Sequence, residues 1–240
     1  MTKSIISKPS LERGVLSSFN ERYQTLSIEE RLTALFHQFD EKEILITSSF
    51  GTKSVLLLHM LQRIKPGHPV YFINTGYNFQ DTLKYKEQLI EQFDLNVIEI
   101  KADKEQHEYT RITELWKSDN QKCCDINKVQ PLAPVKSKHK IWISGLMAYQ
   151  TPHRAGLNIF EQKGEIVKFH PFIDISEDEF ESYLDRFNLP RHPLEAQGYG
   201  SVGCTHCTSK GKGREGRWKG SEKTECGLHP DYFAKKLAQK

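Results

Sequence analysis

Two hydrophobic periods alternate along the first half of the chain. Over residues 27–38, Ile28, Leu32, Leu35 and Phe36 recur at the spacing of one helix face. Ser27 stands at the N-cap position, and Glu30, three residues on, completes a capping box. The first forty residues therefore read as helical. The period then shortens. Residues 43–47 (EILIT) read as a short buried strand, and residues 55–64 (VLLLHMLQRI) as a helix. A second strand is expected over 68–74, a helix over 81–93 and a third strand over 96–100. Strand, helix, strand, helix, strand at this rhythm predicts an α/β fold built on a parallel sheet. Further strands are expected over 140–146 and 165–172, followed by a capped helix over 176–187. From about Gly198 onward, glycine, serine and charge replace apolar periodicity. That stretch is expected to be loops and a tail that take their order from ligands. No internal repeat is visible.

With 240 residues, 37% of them hydrophobic, the chain has enough apolar surface for one large domain. The division expected is an α/β domain over 1–208 and a tail over 209–240. A formal charge of +3 is too mild to argue for nucleic acid or membranes. The positive charge is local instead, concentrated in residues 209–219 (SKGKGREGRWK). No apolar run approaches the roughly 20 residues that span a bilayer, and the polar start MTKSIISKPS does not read as a signal peptide. The expectation is a cytoplasmic enzyme. An odd cysteine count then argues for metal or catalysis over a disulfide framework.

The five cysteines fall as four plus one. Cys123 and Cys124 are adjacent, and Cys204 and Cys207 follow about eighty residues later as a C-x-x-C. Two such pairs have the right count for a four-thiolate iron–sulfur or zinc site. Adjacent side chains point apart, so one centre that grips both suits a cubane better than a single zinc ion. The C-x-x-C pair taken alone also occurs in zinc knuckles. Cys226, in the polar segment KTECGLH, is left as a mobile thiol. Lys223 and His229 nearby would favour its thiolate, and Gly227 would let the tail bend into a cleft.

The loop Ser48-Ser49-Phe50-Gly51-Thr52-Lys53-Ser54 follows a strand and opens a helix. There a parallel sheet offers backbone N–H groups and a helix dipole to an anion. Gly51 permits close approach, and Ser48, Ser49 and Thr52 add hydroxyls. A strand-to-helix turn also carries Gly and Ser for purely structural reasons. The loop is not a Walker loop, but its S-x-G-x-x-S spacing matches the pyrophosphate-loop adenine-nucleotide enzymes. Lys128, Arg214 and Arg217 are the basic residues nearest the cysteine pairs, and arginine forks suit phosphate or sulfate oxygens. The same basic stretch beside a C-x-x-C, with Trp218 stacking on a base, would also suit a zinc-knuckle RNA-binding protein, although that reading leaves Cys226 unused.

Taken together, TSSFGTKSVLLLHM, FINTGYNFQDT, CCDINKVQPL, the WISG segment, NLPRHPLEAQGYGSVGCTHCT, GREGRW and KTECGLH resemble the assimilatory sulfonucleotide reductases. Within that family they resemble the iron–sulfur adenylylsulfate (APS) reductases. The resemblance runs from about Ile44 to His229 and implies a pyrophosphate-loop α/β fold. It further implies that Cys123, Cys124, Cys204 and Cys207 ligate a [4Fe–4S] cluster. Cys226 would attack the sulfate sulfur, expel AMP and form an S-sulfocysteine, which thioredoxin or glutaredoxin reduces to release sulfite. Ser48, Ser49, Phe50, Gly51 and Thr52 would cradle the nucleotide, with Lys128, Arg154, Arg214, Arg217 and His229 on the substrate. Phosphoadenylylsulfate (PAPS) reductases share the fold and the ECGLH tail but generally lack the two cysteine pairs, so APS is the expected substrate. A nucleic acid is not an expected partner, and the sequence is compatible with a homo-oligomer. The chain departs from the family pattern at Lys53, Asn74, Asn127 and Met147–Tyr149. Those departures bear on the APS/PAPS choice and keep open a paralogue acting on another adenylylated substrate, including a nucleotide-activating sulfur-transfer enzyme acting on tRNA.

Overall fold

The computed structural model describes residues 13–219, 223 and 225–228. In chain order the elements are α1 (Arg13–Gln24), α2 (Ile28–Gln38), β1 (Ile44–Ser48), α3 (Val55–Ile64), β2 (Val70–Asn74), α4 (Gln80–Phe93) and β3 (Val97–Lys101). There follow α5 (Lys104–Ile112), α6 (Leu115–Ser118), α7 (Asn120–Cys124), α8 (Gln130–Lys136), β4 (Ile141–Ile143), α9 (Pro152–Ala155), β5 (Phe160–Lys163), β6 (Ile166–Phe169) and α10 (Glu177–Arg186). The expected capping box at Ser27 and Glu30 forms, and a second one at Ser176 and Glu179 starts α10. Between α7 and α8 the helix passes through a π-helical turn, Asp125–Val129.

The strands form one sheet in the order β3-β2-β1-β4-β6-β5, parallel except for β5, which pairs antiparallel with β6. Period-two alternation divides the side chains between two layers. Ile44, Ile46, Val70, Phe72, Ile141, Ile143, Val167 and Phe169 enter the larger core. Leu45, Ile73, Trp142 and Ile166 enter a smaller one on the opposite face, covered by Leu132 and Val135 of α8 and by Leu228. Burial on both faces explains why the central strands read as unbroken apolar runs.

The sequence reading placed the strands and the long helices within a few residues. It did not assign β5, whose FEQK segment is a partly exposed edge turning through Gly164 at a φ of 65°. Nor did it assign α5–α8, whose weak apolar periodicity is subordinate to packing around the cysteines.

The order of the strands sets the place for a ligand. From β1 the chain moves outward to β2 and β3, then returns across β1 to β4. The loops at the carboxyl ends of β1 and β4 therefore diverge and leave a crevice between them.

Two histidines in this frame are buried and neutral. Burial, reinforced by Lys168, holds His170 down at about 3, and burial alone holds His192 at about 4. Their folded values lie below the usual 6.5, so the unfolded chain binds protons more readily through this window. Stability is complete above about pH 6.5 and is lost as the pH falls toward the folded values, at about 2 kcal/mol per histidine by pH 5. Urea unfolding should therefore give a clearly lower stability at pH 5 than at pH 7, and His192→Asn should remove part of the difference. Equal stabilities at the two pH values would refute the assignment.

Candidate active site

The crevice is a cavity of about 910 Å³, lined by the β1–α3 turn, the loops after β2 and β4, and the segment beyond Gly198. Ser48, Ser49, Gly51 and Thr52 all face it. Phe50 does not, which corrects its expected place in the nucleotide cradle. Its backbone is left-handed, with φ 49°. Its ring is fully buried, edge-on to Phe72 at 5.6 Å. Its N–H donates to Ser48 Oγ at 3.1 Å, which fixes the turn. Any part for Phe50 is in shaping the loop.

The segment beyond Gly198 takes its order from its own backbone, where ligands had been expected to supply it. A Cβ on Gly200 would sit 2.5 Å from the Gly213 nitrogen, one on Gly216 1.9 Å from the Ser209 oxygen, and one on Gly203 2.3 Å from an Arg217 nitrogen. Gly200 and Gly216 are needed because backbone lies directly against backbone, whereas at Gly203 it is the end of the Arg217 side chain that lies close. The Gly200 N–H donates to the Gly211 carbonyl and the Gly211 N–H to the Gly198 carbonyl, and the Trp218 N–H reaches the Cys207 carbonyl, each at 3.0 Å. Thr52 Oγ1 donates to the Gly200 carbonyl at 3.1 Å and ties this strap to the β1–α3 turn.

The strap carries Arg214 and Arg217 to the cavity, beside Lys128 from the π-helical turn. The Trp218 ring is buried between cations: Arg217 at 4.4 Å, Arg214 at 5.4 Å and Lys223 at 5.6 Å from its centre. The face of an indole offsets part of the repulsion such crowding creates. Arg217 donates to Ser201 Oγ and the Val202 carbonyl, each at 3.3 Å. Its Nε and Trp218 Nε1 are buried donors with no acceptor among the described residues.

Cys226 enters the same cavity, with Lys128 Nζ 3.7 Å from its sulfur. The Cys124 thiol donates to it. Burial opposes ionisation, but Lys128, the Leu228 N–H and Arg217 add to the pull, and Cys226 is held well below the ordinary thiol range. A lowered thiol pKa raises the thiolate fraction, and the thiolate is the reactive form of cysteine. Burial and the neighbouring thiols Cys204 and Cys207 push Cys123 up to about 11.

The four paired cysteines divide three and one, where a single set of four was expected. Cys123 and Cys204 share an apolar nest with Tyr77, Leu115 and Ile126, and Cys207 packs against it. Cys124 turns toward Cys226 and accepts from Lys223 at 3.2 Å. Among the described residues no three His, Cys, Asp or Glu side chains draw close enough to hold a single metal ion. The donor set nevertheless fits a thiolate-held iron–sulfur cluster in its chemistry. It comprises four thiols on two facing segments, and polar groups already sit against the sulfurs. Thr75 lies 3.3 Å from Cys204 and Asn127 Nδ2 lies 3.7 Å from Cys123.

Arg154 has a different immediate partner from the one expected. Its guanidinium forks onto Glu225, Nε and Nη2 each at 2.8 Å, while Nη1 reaches Gln150. Arg214 Nη2 reaches the same carboxylate at 3.2 Å, and Thr151 Oγ1 at 3.3 Å. The sequence marks Glu225 only as the acidic neighbour of Cys226 and gives it no role. Its place beside Cys226 was the only available signal, because a buried ion pair between residues 71 apart has no periodicity. Lys168 and Leu228 were likewise unmarked, and they bond through Nζ and carbonyl at 2.9 Å. His229 lies outside the described residues.

The departures from the family pattern resolve individually. Met147 is buried in the main core, Ala148 packs against it, and of the three only Tyr149 reaches the cavity. Lys53 faces the cavity, pairs with Glu181 at 2.8 Å and lies over the Phe180 ring. Asn74 accepts the Gly76 N–H at 3.0 Å, a turn bond that an Asp would make equally well. Asn127 is buried, donates to Thr110 and the Cys123 carbonyl, and bonds His107.

Known proteins match this arrangement over most of the chain. The sequence is 37% identical over 196 residues to the adenosine 5'-phosphosulfate reductase of Lysinibacillus sphaericus, covering 78% of this chain and 84% of that one. It is 36% identical over 209 residues to the enzyme of the same name from Mesorhizobium japonicum, covering 84% of this chain and 80% of that one. In fold it is similar to phosphoadenylyl-sulfate reductase from Candida auris, with a TM-score of 0.72 and 21% identity over 84% of this chain and all of the other. It also shares the fold of Candida glabrata FMN adenylyltransferase, with a TM-score of 0.55 and 17% identity over 95% of this chain and 85% of the other. The model of the phosphoadenosine phosphosulfate reductase domain matches residues 43–210, and the chain belongs to that family.

Proposed function

We propose that this protein is a cytoplasmic, thioredoxin-dependent adenylylsulfate reductase. The observation that carries the reading is Cys226 lying with Lys128 and Arg217 in the crevice between β1 and β4, its sulfur 3.7 Å from Lys128 Nζ. The crevice beside Ser48, Ser49, Gly51 and Thr52 receives the adenosine and its phosphate, with Leu57 and Leu146 as apolar wall. The phosphosulfate then lies toward Lys128, Arg214 and Arg217.

The chemistry asked of these residues is limited. AMP is a good leaving group from a mixed anhydride, so strong acid catalysis is unnecessary. The obstacle is the approach of a thiolate to an anion. The three cations offset that repulsion and hold the anhydride in line. Cys226 Sγ forms a bond to the sulfate sulfur, the bond from that sulfur to the bridging oxygen breaks, and AMP leaves with the electron pair. The resulting S-sulfocysteine is then attacked at Cys226 Sγ by one thiol of a thioredoxin- or glutaredoxin-type dithiol. Sulfite departs, and the second thiol of that partner closes its own disulfide and frees Cys226, a two-electron oxidation of the partner.

Cys123, Cys124, Cys204 and Cys207 would hold a [4Fe–4S] cluster, which when bound supplies charge at the base of the cavity and ties the two cysteine segments together. Thr75 and Asn127 lie against sulfurs of that set, and Lys128 lies 3.7 Å from the Cys226 sulfur.

Mixing the anaerobic protein with APS, and separately with PAPS, in the absence of thiol should give a sulfo adduct on Cys226 from APS, read by intact mass and peptide mapping. Cys226→Ser should abolish it, and Lys128→Met or Arg217→Ala should slow its formation by roughly 100-fold or more. An adduct from PAPS alone would keep the mechanism and change the substrate, and no adduct from either would sink the reading. Anaerobically purified protein should hold iron and sulfide in equal amounts with broad visible absorption, and Cys123→Ser should lose both while Cys226→Ser keeps them. Colourless protein with stoichiometric zinc would overturn the cluster.

A further inference from the structure

The segment that bears Cys226 is held from both sides. After it, Gly227 lies against the helix, where an added Cβ would be 3.1 Å from that of Cys124. Leu228 then packs its side chain into the smaller core and gives its carbonyl to Lys168. Before it stands Glu225, with a side chain only 1% exposed. A carboxylate so placed is tolerable only when paired, and it meets the Arg154 fork, Arg214 and Thr151 at once.

We propose that Glu225 is a positioning residue for this reaction: its fork with Arg154 latches the cysteine-bearing segment so that the Cys226 sulfur points into the cavity beside Lys128. The inference rests on the function proposed above for Cys226, but the latch itself is a property of the ligand-free protein. A two-point fork fixes rotation as well as position, which a single ammonium contact would not do. Arg154 is set for it by its own element. It lies in α9, whose N-cap is Thr151, and Thr151 also touches the carboxylate. One short turn therefore delivers two of the contacts. The other, from Arg214, comes from the strap, so the carboxylate joins the cysteine segment to both walls of the cavity. Glutamine at this position keeps the shape but turns an N–H₂ toward a guanidinium and leaves Arg154 buried without its counter-charge.

Two readouts test the latch, one of them independent of substrate. Hydrogen exchange of the peptide carrying Glu225 to Leu228 in the ligand-free, full-length protein should quicken tenfold or more in E225Q, with β1 and β4 amides unchanged. Arg154→Lys, which keeps the charge and loses the fork, should loosen the same peptide. In single turnover, E225Q should form the sulfo adduct 10- to 100-fold more slowly at saturating APS with nucleotide affinity unchanged, and E225D should recover part of the rate. Wild-type exchange in either E225Q or Arg154→Lys overturns the latch, as does exchange that rises equally throughout the sheet, since Glu225 would then serve core stability alone. If the wild-type protein forms no adduct with APS or PAPS, the functional reading fails while the exchange comparison still decides the latch.

Discussion

A carboxylate almost wholly out of water stays ionised only where cations reach it, and the arrangement of this site follows from that requirement at Glu225. Arg154 from the turn after β4 and Arg214 from the glycine strap both come to it. Removing a buried ion from water costs several kcal/mol, which the pairing must offset. The result joins three parts of the chain at one point. The cysteine segment, the β4 side of the crevice and the strap are joined at one carboxylate, and Cys226 is the next residue.

The cationic character of the cavity follows from the same arrangement. Glu225 accounts for part of the charge of Arg154 and Arg214, while Arg217 and Lys128 face the space where an anion would lie. Trp218 lets the cations sit closer than their repulsion would otherwise allow. The π-helical turn contributes through its wider winding. It turns Asn127 inward to Cys123 and His107 and puts the next residue, Lys128, on the cavity side. Such turns recur at functional sites because one added residue re-aims side chains without ending the helix.

The glycine contacts explain why the strap was hard to read. Gly200, Gly203 and Gly216 are placed by what presses on them, and that partner is other backbone or a guanidinium far along the chain. In one dimension the segment resembles a polar linker. The cysteines, the β1–α3 turn and the basic residues around it were legible because residue type and local spacing carry their chemistry. Arg154 was identified as important, but its immediate partner was not. Phe50 was read as part of the cradle from its place in the loop, whereas a left-handed backbone sends its ring into the core against Phe72.

What the sequence by itself determined is whatever depends on neighbours in the chain: the capping boxes at Ser27 and Ser176, the strand and helix periods, the parallel α/β class and the four-plus-one set of cysteines. Each is fixed by contacts within a few residues, so its signal survives without the fold. The tertiary structure alone decided which residues share a space. It put the crevice between β1 and β4, turned Cys124 toward Cys226, seated Leu228 in the second core and paired Arg154 with Glu225. Those outcomes depend on burial and charge balance between distant segments, and neither quantity exists until the chain has closed on itself.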